Sequence, residues 1–239
     1  MNLGRAYALL GTLDYNVGQL TDSLAHLNTA LALYEQHDQQ REIAHVSCNI
    51  GHVHLKRGEY EPAYAALRRS LSLAERIGDG PLTSVIFMNL GALAASQGHL
   101  SEAEEWYRKS LTLAERFNDR QYLSLWQTEL ASVLVAQGKL SEAAASVRKA
   151  LQIGRAMQNT PCIGAALIAL STVRIAQAMA STDHHAAARL RLLMHARSDV
   201  QRALSFEHLD AETRTKGQDV LTQVAQLLGD GEYELTEDV

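Results

Sequence analysis

The 239-residue sequence predicts an all-α protein built from stacked pairs of antiparallel helices, and three observations carry that expectation. The first is a 40-residue period, in which Gly18, Gly58, Gly98 and Gly138 share one register and Gly11, Gly51, Gly91 and Ala131 share another. The second is composition: only three prolines occur, and abundant leucine, alanine, glutamine and arginine favour helix over strand. The third is a set of small residues recurring among large ones. Ser23, Ala63, Ala103 and Ala143 form one such column and Ala30, Ser70, Ser110 and Ala150 another, followed each time by Leu31, Leu71, Leu111 or Leu151. The repetition is plainest between GEYEPAYAALRRSLSLAER, from Gly58, and GHLSEAEEWYRKSLTLAER, from Gly98. Stacked repeats have no single central core, so length here counts repeats rather than domains.

Each row reads as two helices. The first row, about 2–40, opens directly in a helix at Asn2 and Leu3 with no cap before it. An uncapped first helix is the expectation either for a piece of a longer protein or for burial against another subunit, including self-association through that helix. In the second row (41–80) the spacing predicts helices over 42–57 and 61–77, in the third (81–120) over 82–97 and 101–117, and in the fourth (121–160) over 121–137 and 141–157. A helix of about 16 residues is about 24 Å long and gains its stability chiefly from packing. Gly58, Gly98 and Gly138 are expected to end the first helix of their rows in a left-handed cap. Gly51, Gly91 and Ala131 are expected to let the second helix of each pair come close. Both glycine columns thus have structural work, and neither implies a phosphate loop. Pro62 falls at a helix start, where its missing N–H costs nothing, and Pro81 and Pro161 fall between helices. Ser101-Glu102-Ala103-Glu104 matches a capping box, which puts that helix start three residues after Gly98.

The fifth row, 161–208, is degenerate: Ser171 stands for the first-helix glycine, Ala178 for the cap, and the Ala203-Leu204 pair arrives thirteen residues late. An insertion and a lengthened second helix, about 184–207, follow from this. Its expected apolar stripe is Ala187, Leu190, Leu193, Met194, Val200 and Leu204. A capping helix over 210–228 presents Val220, Val224 and Leu227 to the stack and polar residues elsewhere. Residues 1–228 therefore read as one solenoid, and 229–239 as an acidic, disordered tail.

These features resemble the tetratricopeptide repeat family over about residues 3–160. The resemblance rests on Leu10-Gly11, Ile50-Gly51 and Leu90-Gly91, the capping glycines, the alanines five residues on, and Leu67 or Tyr107 four further. The period exceeds the commonest form of the family, and Glu35, Glu75, Glu115 or Arg155 stands near its usual proline. With Gly78-Asp79 and Asn118-Asp119 as linkers, the array resembles the subclass found in kinesin light chains, bacterial quorum-sensing regulators and the sensor arms of signal-transducing ATPases of maltose-regulator-like layout. HEAT repeats share the period, yet their first-helix proline is absent. The resemblance implies a right-handed superhelix of about five repeats whose first helices line a concave, peptide-binding groove.

Carried over position by position, the resemblance puts Arg5, Ala8, Leu9 and Thr12 of the first row on the inner wall, with His45, Cys48, Asn49 and His52 of the second. Val85, Met88, Asn89 and Ala92 follow from the third, Leu125, Thr128, Glu129 and Ser132 from the fourth, and Ala165, Ile168, Ala169 and Thr172 from the fifth. Of these, Arg5, Thr12, His45, Asn49, His52, Met88, Asn89, Thr128, Glu129 and Ser132 are the candidate ligand contacts. Asn49 and Asn89 share a column, and an amide can bracket a peptide group with a donor and an acceptor; the plain alternative is a hydrogen bond to a neighbouring helix end. Met88 packs or adapts to an apolar ligand. Cys48, Met88 and Thr128 stand where co-chaperone arrays carry lysines, so chaperone tails are not expected partners.

His45, Cys48 and His52 can share a helix face but lack a fourth ligand, so no metal and no cofactor is expected. His184-His185 reads as loop, the basic run Arg189, Arg191, His195, Arg197 and Arg202 as a solvated face, and Trp106 and Trp126 as packing residues. No Walker loop, nucleophile elbow or H-E-x-x-H motif occurs, and an enzyme is not expected. The net charge of −5 is that of the last eleven residues; the remainder carries 22 acidic and 22 basic side chains, which disfavours nucleic acid. With no apolar stretch near 18 residues, no leader and two cysteines, a soluble cytoplasmic protein away from membranes is expected. The function expected is a non-catalytic scaffold binding a peptide or protein segment, or alternatively the sensor arm of a larger ATPase or transcriptional regulator.

Overall fold

A computed structural model of the chain describes residues 2–181 and 186–229. Among the described residues the regular structure is wholly helical: α1 (Asn2–Asn16), α2 (Leu20–Glu35), α3 (Gln40–Lys56), α4 (Tyr60–Ile77), α5 (Gly80–Ser96), α6 (Leu100–Arg116), α7 (Arg120–Ala136), α8 (Leu140–Ala156), α9 (Thr160–Ala180), α10 (Ala186–Leu204) and α11 (Ala211–Gly229). Packing divides the chain into two compact units, Met1–Asn118 and Asp119–Val239. The expected acidic tail beyond Gly229 and the His184-His185 loop lie outside the described residues.

Both glycine columns act as the period implies. Gly18, Gly58, Gly98 and Gly138 have φ of 82°, 73°, 79° and 76°, the left-handed cap that a side chain resists. A Cβ on Gly11 would lie 2.6 Å from Leu27 Cγ, on Gly51 2.7 Å from Leu67 Cγ and on Gly91 2.7 Å from the Tyr107 ring. The large residue of the second helix thus fills the space that the missing side chain leaves. A second left-handed column, Asp38, Gly78, Asn118 and Gln158, closes the second helices, and only one member is glycine. Asp79, Asp119 and Asn159 follow it and cap the next helix by accepting from the N–H groups of Leu82, Tyr122 and Cys162.

Three local expectations are corrected. Ser101 does not cap α6, which begins at Leu100 after His99, and no side chain caps it. Backbone bonds from Gly98 to Ala95 and from His99 to Ala94 turn the chain so tightly that the helix restarts before Ser101; Glu104 pairs instead with Arg108 at 2.7 Å. Pro81 and Pro161 lie within the first turns of α5 and α9 rather than between helices, where the orphan N–H positions tolerate them. In α10, Ala187 and Met194 face solvent, and the buried stripe is Leu193, Ala196, Val200 and Ala203, whose alanines admit a close neighbour. That helix ends at Leu204.

In unit 1, α1 to α6 form three hairpins. Buried serines tie helices together: Ser23 Oγ donates to the Gly11 carbonyl at 2.7 Å and Ser70 Oγ to that of Ala44 at 2.7 Å. Ser84 and Ser110 each donate to the other's carbonyl at 2.8 Å. In unit 2, α9 is the core helix, packed on α7, α8, α10 and α11. With Ala178 in the place of the capping glycine, α9 continues to Ala180. At 21 residues it is long and apolar enough to cross a membrane by length and composition, against expectation; half of its apolar stretch is buried by those neighbours, which accounts for the composition. Val224 of α11 is fully buried, with Val220 and Leu227 partly so. Trp126 is fully buried, whereas Trp106 is partly exposed, with its ring 5.3 Å from Phe87.

Candidate functional site

Within unit 1 the backbone of α1 comes close to that of α3, and α3 to α5, while α2, α4 and α6 keep their backbones apart and meet through long side chains such as Arg69 of α4 and Glu35 of α2. Second helices that stand apart and first helices that meet leave the first-helix side of this unit as its inner wall.

From α1, Arg5 and Thr12 are exposed, and the Thr12 hydroxyl donates to its own helix at Ala8 (2.9 Å). From α3, His45 is exposed with Nε2 3.5 Å from Asp79 Oδ2, which also lies 3.1 Å from Arg41 Nε. Gln40, Glu42, Ile77, Gly78 and Pro81 complete an open depression around that group. Asn49 is exposed, and His52, half-buried, has Nε2 3.1 Å from the Tyr15 hydroxyl. From α5, Met88 is half-buried and Asn89 is only 2% exposed.

The two asparagines of one column therefore have different surroundings. Asn89 Nδ2 donates to Cys48 Sγ at 3.4 Å, and Asn89 Oδ1 is buried without a partner. The residue that would meet Asn49 in the same way is Ala8, which is too short to do so. Burial pushes the Cys48 thiol up to about 12, against the pull of the Asn89 hydrogen bond, so the sulfur is a neutral thiol at physiological pH. Cys48 faces Asn89, His45 faces Asp79 and His52 faces Tyr15; among the described residues no three such side chains are grouped to hold a metal.

In unit 2, α7 touches α9. Thr128 is buried, its hydroxyl donating to the Ser124 carbonyl at 3.1 Å, and Ser132 is exposed, donating to Thr128 at 3.4 Å. Glu129 is half-buried and acts electrostatically on Lys216 of α11. Burial opposes the Lys216 ammonium, but the Glu212 hydrogen bond and the charges of Glu129, Glu212 and Asp210 outweigh it and raise its pKa. Tyr122, 38% exposed, stacks on Trp126 with rings 4.9 Å apart, beside exposed Leu125.

The candidate contacts of unit 1 thus separate into an accessible set, Arg5, Thr12, His45, Asn49 and partly His52 and Met88, and the buried Asn89. Those of unit 2 separate into Ser132 and Glu129 on one hand and buried Thr128 on the other. Tyr15, Asp79 and Tyr122 were not on the sequence-based wall. Asp79 reads as a linker and its capping of α5 is legible, but nothing in the period announces that Arg41 and His45 lean on it. The accessible groups are donors, acceptors and apolar surface without an activated nucleophile, an arrangement suited to binding.

The comparisons with known proteins bear on the fold. The crystal structure of a signal-transduction ATPase with numerous domains, with a tetratricopeptide repeat sensor, from Pyrococcus horikoshii is similar with a TM-score of 0.69 and 12% identity, over 92% of this chain and 31% of that one. A Rap protein complexed with competence and sporulation factor is similar with a TM-score of 0.65 and 16% identity, over 95% of this chain and 65% of that one. Kinesin light chain repeats from Podosopora anserina give 0.63 and 14%, over 84% and 97%. The chain thus spans less than two thirds of the Rap structure and about a third of the ATPase. No curated protein is a match. The family described as the MalT-like TPR region matches residues 4–215, and with its glycine-paired hairpins the chain belongs to that family of tetratricopeptide α-solenoids.

Proposed function

We propose that the chain is a non-catalytic recognition module that binds an extended peptide or protein segment along the first-helix wall of unit 1. The observation that carries this reading is the exposed row of Arg5, Leu9, Thr12, His45 and Asn49 on helices that touch one another, with the Asn49 amide free to bracket a peptide group. The complex of the Rap protein with competence and sporulation factor supports it by analogy of fold. A cytoplasmic setting accords with two buried, free cysteines.

The test is selection of a displayed peptide library on the full chain, followed by titration of the enriched peptide. Asn49→Ala with His45→Ala is expected to weaken binding by about tenfold at unchanged Tm, the loss typical of a few interface anchors. Binding that both changes leave intact would move the site elsewhere.

A second reading has its own observation. The chain is similar over 92% of its length to 31% of a much longer signal-transducing ATPase that carries a tetratricopeptide repeat sensor, the share a sensory arm would take. In that reading the same wall takes the inducer.

A further inference from the structure

Asp79 does more than cap α5. Its Oδ1 accepts from the Leu82 N–H at 3.1 Å, which fixes the carboxylate, and its side chain is only 7% exposed. Oδ2 accepts no hydrogen bond, although Arg41 Nε lies 3.1 Å from it and His45 Nε2 3.5 Å. A buried carboxylate needs a counter-charge, so Arg41 is held at its Nε edge. The Arg41 side chain is nonetheless 70% exposed, and its Nη1 and Nη2 have no partner among the described residues. The other charged groups at this depression are engaged elsewhere: Arg76 donates to Gln40, Gln40 to Asp38, and Glu42 bears on Tyr34 of α2. The arrangement occurs once. Its capping residue recurs as Asp119 and Asn159, but the positions of Arg41 and His45 hold Pro81 and Val85 one period on, and Gln121 and Leu125 two periods on.

We infer that Arg41 binds a carboxylate of the segment lying along the wall of unit 1, with Asp79 as the residue that positions it; the inference rests on the recognition reading above and names the chemistry of its ligand. A guanidinium gripped at Nε presents Nη1 and Nη2 as a planar fork, the geometry that takes both oxygens of a carboxylate. Because the fork is fixed before the ligand arrives, less side-chain entropy is lost on binding. A slight turn of the guanidinium also gives Oδ2 the hydrogen bond it lacks. Arg41 precedes His45 by four residues on α3 and Asn49 by eight, so the three side chains share one helix face. Eight residues of helix span about 12 Å, which is about three to four residues of extended ligand. A segment anchored by its carboxylate on Arg41 thus brings its own peptide groups to Asn49. An acidic side chain and a C-terminal carboxylate share this chemistry.

The probes are pools of random nonapeptides in three forms: with free carboxylates throughout, with the C-terminus amidated, and amidated with Asp and Glu left out. Capture on the full chain is read by mass spectrometry, and the leading peptide is titrated in its free and neutral forms. The first pool is expected to be captured best. Loss of that advantage on amidation alone places a C-terminal carboxylate on Arg41; loss only in the third pool places an acidic side chain there. Arg41→Ala is expected to weaken the carboxylate-bearing peptide by about tenfold and to leave its neutral counterpart unchanged, which controls for folding. Arg41→Lys keeps the charge but not the fork and is expected to lose most of the preference. Asp79→Asn keeps a capping side chain, as Asn159 does in its row, and is expected to reduce the preference for the carboxylate form without altering affinity for the neutral one. A preference that Asp79→Asn leaves unchanged or increases overturns the positioning role. Peptides that need Asn49 but bind Arg41→Ala as tightly as wild type overturn the inference and leave the recognition reading in place, whereas no capture from any pool overturns both.

Discussion

At the scale of the residue, the same amino acid at the same repeat position has two different jobs. Asn49 faces solvent, with Ala8 at the repeat position that Cys48 holds for Asn89; Asn89 is buried and donates to Cys48. The difference predicts different penalties for introducing charge. Asn89→Asp puts a carboxylate in a buried site beside a neutral thiol and is expected to cost about 3 kcal/mol or more, while Asn49→Asp is expected to stay within about 0.5 kcal/mol. Urea denaturation of both variants checks this, and equal stabilities would contradict the burial of Asn89.

At the scale of the element, each hairpin is set by how much volume its two helices exchange. Gly51 faces Leu67 and Gly91 faces Tyr107, while the same register in the fourth row holds Ala131 and Val147, a larger residue with a smaller partner. Gly51→Ala is expected to cost about 1–3 kcal/mol by overpacking against Leu67 Cγ. Adding Leu67→Val, which copies the fourth-row pairing, is expected to recover most of the loss, giving a favourable coupling of about 1 kcal/mol in a double-mutant cycle. Additive losses would mean that the two side chains do not compete for one space. Helix ends follow a related local logic: the left-handed column at Asp38, Gly78, Asn118 and Gln158 is held by the backbone even where no glycine serves it. That column was half legible, since Gly78 and Asn118 advertise a left-handed turn and Gln158 does not.

At the scale of the whole molecule, protection should follow the number of neighbours. In unit 2, α9 is enclosed by four helices and α11 lies at the end of the chain's helical order, against α9 and α10. Amide exchange is expected to be slowest at the centre of α9 and fastest in α11, because a terminal helix opens without disturbing the rest. Mass-spectrometric exchange that found α9 open before α11 would contradict that ordering. The sequence by itself determined the period, the helical class, most helix boundaries to within two residues and the close approach of the second helix at the first-helix glycines, because those depend on local backbone preference and on side-chain volume at fixed spacing. It carried much less of the candidate site. Whether Asn89, Thr128 or Met194 meets water, and whether the leucines of α1 meet anything within the chain, only the tertiary structure decided, because burial belongs to the neighbour across the stack and a repeat position does not name its neighbour.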